Sequence, residues 1–288
     1  MSSDVTKQVW VGTRGDVFHL AGPDAGVEGV VAGADPSGTV FAPVKLLVSE
    51  GARQDGATFL RDVKDKREFD FSVLISGSSF REVQSIHDKW FRNWSSRKPG
   101  HMCYYTPYLG WRTTELYLGE APTPTLGVDM AYNDAEVYDM LGVGMDPLYH
   151  LLDEEQVFDN ALGTNEGVNV LRNAGDQVGW PRHTMNGPGR WYIEDPTLDD
   201  SFLRAVQTPM LLMGETLQID THPRRPTARL YSAGGGENSR NVWGQLQGRR
   251  WLTPVEPWTA KELFVQIEGG NTNSKLISVV TPRASRPY

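Results

Sequence analysis

The feature that most constrains the fold is the spacing of short apolar segments with turn residues between them. From Gly167 onward, such segments recur, and glycine- or proline-containing turns separate them. Many short strands at regular spacing predict a β-sandwich or a jelly roll. The expected strands are 168–171, 180–185, 190–193, 210–213, 216–219, 228–231, 262–267 and 275–281.

The N-terminal region also consists mainly of strand patterns. In the segment 66–76, every second residue from Phe69 to Ile75 is apolar, which is the period of a half-buried strand. The segment 21–37, rich in glycine and proline, is too long for a tight turn and is predicted to be an extended loop or a long hairpin arm. The other expected strands are 7–11, 17–20, 40–49, 101–106 and 111–118.

One segment of this region has helical periodicity. Ser79 is a preferred N-cap residue, and Glu82 completes a capping box three residues later. Apolar residues then recur at helical spacing as far as Trp94, and the segment 98–100, Lys-Pro-Gly, ends the pattern. We expect a helix at 79–97 that packs across a sheet. The first domain is therefore predicted to be a β-sandwich or barrel that carries one helix.

The length of 288 residues is typical of about two domains. The alternating prolines of 121–125 predict a stiff linker, which places the domains at 1–125 and 126–288. In the second domain, an acidic segment precedes the sandwich, with a strand expected at 136–145 and a short helix or irregular crossing at 147–158. The fold class is therefore predicted to be mainly β.

Charged residues are distributed unevenly along the chain. The net charge of −8 argues against a general nucleic-acid binder. No lysine or arginine occurs from 113 to 170, whereas 224–250 holds six arginines and one acid, Glu237. Arginine suits fixed, planar contacts with carboxylates. The two segments are therefore predicted to be complementary surfaces, within one chain or between neighbours, or else two independently solvated faces.

Residue types that carry catalysis or bind metals are scattered. Cys103 is the only cysteine, which excludes an intrachain disulfide and multi-cysteine zinc sites, and its apolar neighbours predict a buried side chain. No two of the six histidines stand at i, i+2 or i, i+4, and His183 and His222 are predicted at the surface. No nucleophile elbow, zinc-protease helix or phosphate loop is present. We therefore predict no catalytic, cofactor-binding or metal-binding residues.

Two acidic clusters hold the residue types of a glycosidase pair or a calcium site. They are Asp153-Glu154-Glu155 and Asp199-Asp200. Neither follows the calcium-loop pattern, and adjacent acids mostly lie on solvated loops, so a solvated position is favoured for both. The first residues do not form a signal-peptide pattern, and no segment is long and apolar enough to span a membrane. We expect a protein made in a cytoplasm, without a membrane anchor.

Ordered motifs along the chain match a known family. In the first part these are GARQDGA at 51–57, the strand around 69–75 and the helix that begins at Ser79. They resemble the ring-forming N-terminal domain of distal tail proteins from long-tailed phages. The second part resembles minor tail proteins of phages that infect actinobacteria. Its matching segments are NAGDQVGWPR at 173–182, GPG at 187–189, GETLQIDT at 214–221, PRR at 223–225 and the run 258–282.

The resemblance implies a structural virion protein at the distal end of the tail, and not an enzyme. In such proteins a tail-tube-like first domain forms a homohexameric ring between the tail tube and the tail-tip hub or baseplate, and the second domain is a galectin-like β-sandwich. The implied partners are copies of this chain, the tail tube protein, the hub with other minor tail proteins, and the tape measure protein, with no sequence-specific nucleic acid. The segment 21–37 is the candidate strap across the seams of the ring, with a solvent-exposed loop as the alternative.

Two other functions are alternatives at this point. The first is a carbohydrate-binding module that recognises the host cell surface, because tryptophans on an exposed face can stack on sugars. Large aromatic residues more often form sandwich cores, so most of these tryptophans are predicted to be buried. The tryptophans considered for sugar stacking are Trp180, Trp191, Trp243, Trp251 and Trp258. The second alternative is a tail-associated hydrolase.

Overall fold

The computed structural model describes residues 5–34, 36–53, 55–125, 134–195, 205–232 and 239–288. The chain forms two compact units, Met1–Leu151 with Ala284–Tyr288, and Leu152–Arg283. This boundary lies later than the expected one at 125/126, because residues 135–150 supply strands to the first unit. No described helix has the length and apolarity that crossing a membrane requires.

The first unit is built on an antiparallel sheet. Its elements are β1 (Lys7–Val11), β2 (Val17–Ala21), β3 (Val30–Ala32), β4 (Val44–Ser49), β5 (Thr58–Lys64), β6 (Arg67–Ser76), α1 (Phe80–Arg92), β7 (Gly100–Thr106), β8 (Gly110–Leu118), β9 (Thr123–Pro124), β10 (Ala135–Gly144) and β11 (Tyr149–His150). The sheet order is β2-β1-β7-β8-β10-β6-β3, and the two end strands approach each other, so the sheet is nearly closed. β9 pairs with β10, which places part of the expected linker in this sheet.

The predicted alternation along β6 is confirmed. Phe69, Phe71, Val73 and Ile75 are buried in the core of the first unit. The strand pairs along its whole length with β10. A strand was expected at 136–145, but in the second domain, so its pairing with β6 was not predicted. Burying every second residue of a long central strand is the main way in which a sheet gains hydrophobic stabilisation.

The helix α1 begins as predicted and ends earlier. Ser79 is its N-cap, and the side chain accepts a hydrogen bond from the Glu82 N–H at 3.4 Å. The helix ends at Arg92, whereas 97 was expected, because Asn93 is engaged by the loop after β1. The Asn93 carbonyl accepts from the Thr13 N–H at 3.1 Å, and its side-chain amide donates to Asp16 at 2.9 Å.

The segment 21–37 is not a projecting arm. After a series of turns it enters the sheet as β3, where Val30 is buried and pairs with Ile75. Gly29 adopts a positive φ of 75°, and a Cβ at this position would lie 2.4 Å from Ile86 Cδ1. Gly29 therefore packs closely against α1, and Val30–Ala32 joins the sheet. The turns before them are largely exposed, so the expected loop is confirmed in part, and a role of the segment as a strap between subunits stays a prediction.

The second unit is a sandwich of two antiparallel sheets. Its strands are β12 (Glu154–Asp159), β13 (Glu166–Asn173), β14 (Arg182–Asn186), β15 (Arg190–Glu194), β16 (Ala205–Gln207), β17 (Thr216–Asp220), β18 (Thr227–Tyr231), β19 (Ser239–Asn241), β20 (Thr259–Glu268) and β21 (Lys275–Val280). A six-stranded sheet has the order β12-β21-β14-β17-β18-β19, and a four-stranded sheet has the order β13-β20-β15-β16. Inward residues of both sheets share one core, which confirms the predicted sandwich.

Two predicted segments of this region differ from the structure. The run 147–158 contains β11 and the start of β12 in place of a helix or irregular crossing. The run 210–213 is a loop, because only Leu211 turns inward, and Met210, Leu212 and Met213 are exposed. The glycine-rich turn at 234–236 lies outside the described residues.

Two buried arginines hold the last residues of the chain in the first unit. Arg67 Nη2 donates to the Ser285 carbonyl at 2.8 Å, and Arg112 Nη1 donates to the Arg286 carbonyl at 2.7 Å. A guanidinium keeps its charge in proteins, and its N–H groups need hydrogen-bond acceptors when it is buried. The carbonyls of Ser285 and Arg286 therefore replace part of the hydration that the two guanidinium groups lose when they are buried.

Candidate functional site

The reactive residue types lie apart from one another. Within the ranges that the structure describes, no group of three or more His, Cys, Asp and Glu side chains is placed to hold a metal ion. Cys103 is buried on β7, as predicted, and burial raises the pKa of its thiol to about 11. Such a thiol is protonated at neutral pH and is a poor nucleophile.

The acidic cluster 153–155 lies at the start of the edge strand β12. Asp153 accepts a hydrogen bond from Arg182 Nη2 at 3.0 Å, and the Thr281 hydroxyl contacts the same carboxylate. This carboxylate is therefore engaged in a surface ion pair. The second cluster, Asp199-Asp200, lies outside the described residues.

His183 is buried, so the prediction of a surface position was wrong. The alternation along β14 turns its ring into the core, where Nδ1 lies 2.9 Å from Ser278 Oγ. The same hydroxyl accepts a hydrogen bond from Asn169 Nδ2 at 2.8 Å. Burial lowers the pKa of His183 to about 4, so the ring is neutral at neutral pH.

The five tryptophans considered for sugar stacking have different surroundings. Trp191 and Trp251 are buried in the core of the second unit, and Trp243 packs partly against that core. Trp180 is partly buried beside the His222 ring, and Trp258 is 65% exposed. Two of the five, Trp191 and Trp251, are thus buried core residues, so the prediction that most of them are buried is not confirmed.

Strands β4 and β5 form a hairpin that no other described strand joins. They pair from Val44↔Lys64 to Ser49↔Thr58, with a register shift after Leu47. A two-stranded ribbon is marginally stable by itself in water. The hairpin therefore needs a further surface to become a rigid element.

One face of the hairpin exposes large apolar side chains. Val44, Leu46 and Val48 alternate along β4, and Phe59 of β5 is the direct partner of Val48. These four side chains, which we call the apolar stripe, are between 45% and 61% exposed. Because contiguous exposed apolar surface marks interaction sites in soluble proteins, the apolar stripe is the candidate site of this unit.

The segment 51–57, in which the sequence resembles distal tail proteins, lies between β4 and β5 in the chain. Sequence periodicity had predicted β4 within 40–49 and had missed β5. The signal is weak because the register shift breaks the alternation near Leu60. In addition, Phe59 and Leu60 are exposed and therefore do not follow the usual apolar-inside pattern.

Two arginines of the run 224–250 form ion pairs within the second unit. Arg225 Nε lies 3.9 Å from the Asp220 carboxylate, and Arg240 Nη2 lies 3.8 Å from that of Glu215. Neither acid belongs to the acidic segment 113–170. These two ion pairs therefore do not join the arginine-rich run to the acidic segment 113–170. Contact between the two segments in neighbouring copies of the chain stays a prediction.

The chain is similar in sequence to minor tail proteins of mycobacterial phages. It is 25% identical over 333 aligned positions to minor tail protein Gp27 of Mycobacterium phage L5, covering 96% of this chain and 95% of the relative. It is 23% identical over 328 positions to Gp27 of Mycobacterium phage D29, covering 94% of each. No protein-family model matches the chain.

Solved structures of phage hub proteins have the same fold. The Dit protein (gp 19.1) of SPP1, described as a paradigm of the hub adsorption apparatus in phages that infect Gram-positive bacteria, superposes with a TM-score of 0.62 at 12% identity, covering 97% of this chain and 99% of that chain. A chain of the phage P2 baseplate in its activated conformation superposes with a TM-score of 0.55 at 11% identity, covering 98% and 99%. The chain is thus a homologue of the minor tail proteins of mycobacterial phages, has the fold of Dit-type hub proteins, and is a structural component of the tail tip of a virion.

Proposed function

We propose that the chain is a distal tail adaptor, a homohexameric ring that joins the tail tube to the tail-tip hub, with a structural and not a catalytic role. The observation that carries the proposal is the apolar stripe on an unpartnered hairpin. A ring requires heterologous contacts, in which one surface of a subunit meets a different surface of the next. The hairpin supplies the first of these surfaces.

The dimensions of the hairpin fit this role. β5 has 7 residues, which gives a length of about 23 Å at roughly 3.3 Å per residue. Such a ribbon is long enough to lie across a seam between two subunits and to bury its apolar stripe on the neighbour. The neighbour would also fix the hairpin, which no other described strand of the same chain joins.

The comparisons support this proposal. The P2 chain with the same fold comes from a baseplate, and the similarity to both phage structures extends over nearly the whole chain. A ring at the end of the tail tube would also account for the partners that the sequence resemblance implies, namely the tube protein, the hub with other minor tail proteins, and the tape measure protein.

The strength of one seam follows from the buried area. Fully burying an apolar side chain stabilises by about 1.5–3 kcal/mol, and each member of the apolar stripe has roughly half of its surface left to bury. Association itself costs an estimated 4–15 kcal/mol. The stripe alone therefore supports a weak contact, so we expect the isolated protein to be monomeric and the ring to form on the tail tube.

The test replaces Leu46 and Phe59 together by glutamate. Both side chains are about 60% exposed in one chain, so the variant should fold with an unchanged melting temperature in circular dichroism. Its incorporation into tails should be lost, because two carboxylates would be buried at every seam. The matched control is Leu152→Glu with Leu162→Glu, two exposed leucines of the second unit, which should be incorporated normally.

Electron cryomicroscopy of complete tails provides the symmetry. Six copies around the tail axis, with each hairpin on a neighbouring subunit, are expected. A trimer at the extreme tip would refute the adaptor ring. Normal incorporation of the Leu46→Glu/Phe59→Glu variant would show that the hairpin is not the seam.

A further inference from the structure

The outer face of the six-stranded sheet in the second unit is polar. Outward residues of β14, β17 and β18 lie directly opposite one another in the strand register, so they form rows across the sheet. One row is Thr184, Gln218 and Arg229, and the next is Arg182, Asp220 and Thr227. Two rows of hydrogen-bonding groups on rigid strands make a surface that needs no rearrangement to bind a ligand.

This face carries two neighbouring cavities. A cavity of about 470 Å³ lies over both rows, with Asp153 at its margin. A second cavity of about 240 Å³ shares Thr227 and Arg229 with the first and reaches Trp243. The two cavities adjoin at these shared residues, and we call the pair the polar groove.

The charged side chains that line the polar groove balance in sign. Arg182 and Arg229 are opposed by Asp153 and Asp220, and the Arg182–Asp153 pair is already formed at 3.0 Å. A groove for an anionic polymer would carry an excess of positive charge. The balance favours a ligand that is polar and uncharged.

Several groups in the polar groove have unused hydrogen-bonding capacity. Among the described residues, the side chains of Thr184, Gln218 and Thr227 have no hydrogen-bond partner, and Arg229 bonds only to the Ser239 hydroxyl, at 3.1 Å. Amide and guanidinium groups are planar and offer donors, or a donor with an acceptor, side by side. This arrangement matches neighbouring hydroxyl groups on a ring.

We propose that the polar groove binds a neutral saccharide of the kind displayed on a cell surface. Gln218 and Arg229 bind adjacent sugar hydroxyls, and the Thr184 and Thr227 hydroxyls complete the hydrogen bonding along the rows. The partly exposed Trp243 ring, at the end of the groove, packs against the C–H face of a sugar unit. The groove lies entirely in the second unit, so this binding function is independent of ring formation by the hairpin.

The test uses the full-length protein on an array of neutral hexose and pentose oligosaccharides, with phosphorylated and sulfated oligosaccharides and inorganic phosphate for comparison. Retention of at least one neutral oligosaccharide is expected, with its dissociation constant then measured by calorimetry. The variant Gln218→Ala/Arg229→Met should weaken this binding at least tenfold with an unchanged melting temperature, because both side chains are exposed.

The matched control is Gln266→Ala/Arg172→Met. It removes the same two residue types from exposed strand positions on the four-stranded sheet, and it should leave saccharide binding unchanged. The proposal is overturned if no neutral oligosaccharide is retained, or if the groove variant binds as tightly as the control. It is also overturned if only the charged probes bind, because the groove would then be an anion site.

Discussion

At the scale of single residues, the core of the second unit contains a polar cluster. His183 and Asn169 are buried, and each forms a hydrogen bond with the buried Ser278 hydroxyl. His183 Nε2 and Asn169 Oδ1 have no hydrogen-bond partner among the described residues. A buried imidazole with unmatched polar atoms is stable only in its neutral form. This cluster should therefore make the stability of the sandwich depend on pH.

We expect the free energy of unfolding to fall as the pH decreases from about 6.5 to about 4. The pKa of His183 is about 4 in the folded chain, against an ordinary value of 6.5. Between these values the unfolded chain takes up a proton that the folded chain does not. This difference in pKa corresponds to roughly 3 kcal/mol of unfolding free energy. The folded chain has this stabilisation in full above pH 6.5 and loses it as the pH falls.

Urea denaturation at a series of pH values from 4 to 7 measures this dependence. His183→Gln should flatten it, and His101→Gln, at an exposed position on β7, should leave it as in the parent protein. Equal slopes for the two variants would rule out His183 as the titrating group.

At the scale of elements, the helix α1 is fixed to the first sheet by aromatic contacts. Trp90 is fully buried, and its ring lies edge-on to Phe18 at 5.0 Å and to Trp94 at 5.7 Å between centroids. Trp94 in turn stacks on Trp10 at 3.9 Å. The helix thus closes the core of the first unit with rings from the helix itself, the residues that follow it and two strands.

We expect Trp90→Ala to destabilise the first unit by about 3–5 kcal/mol, because the substitution leaves a large cavity in a packed core. Chemical denaturation followed by far-UV circular dichroism measures the loss. Phe80→Ala, at an exposed position in the same helix, serves as the control and should cost less than about 1 kcal/mol. A loss for Trp90→Ala as small as that of the control would contradict a role of Trp90 in fixing α1 to the sheet.

At the scale of the whole molecule, the chain leaves the first unit after Leu151 and returns to it at Ala284. The returning residues are structural, because the carbonyls of Ser285 and Arg286 accept hydrogen bonds from two buried arginines. The second unit, by contrast, is continuous in sequence. This connectivity makes the stabilities of the two units separable.

We expect the fragment 152–283 to fold alone with a cooperative thermal transition. In the full-length chain, deletion of residues 284–288 should lower the transition temperature of the first unit by several degrees, because two buried guanidinium groups would lose their acceptors. The transition temperature of the second unit should not change. Differential scanning calorimetry, with the fragment to assign the transitions, measures both. Deletion of Tyr288 alone retains both carbonyls and should have a smaller effect, and equal effects of the two deletions would contradict this account.

The sequence by itself determined the local structure of this protein. Period-two alternation located β6, β10 and most strands of the sandwich, and the residue types Ser79 and Glu82 located the start of α1. These signals are local, because they depend on which neighbouring residues share one face or one helical turn. The ordered motifs also identified the class of phage tail proteins.

Only the tertiary structure decided which faces are covered and by what. It placed residues 135–150 in the first unit, turned His183 into a core and drew residues 30–32 into the sheet. It also left the hairpin β4–β5 with no other described strand beside it. It also aligned Thr184, Gln218 and Arg229 from three separate strands into one row. Each of these outcomes depends on pairing between residues far apart in the chain, and strand periodicity carries no information about which distant strand becomes the neighbour.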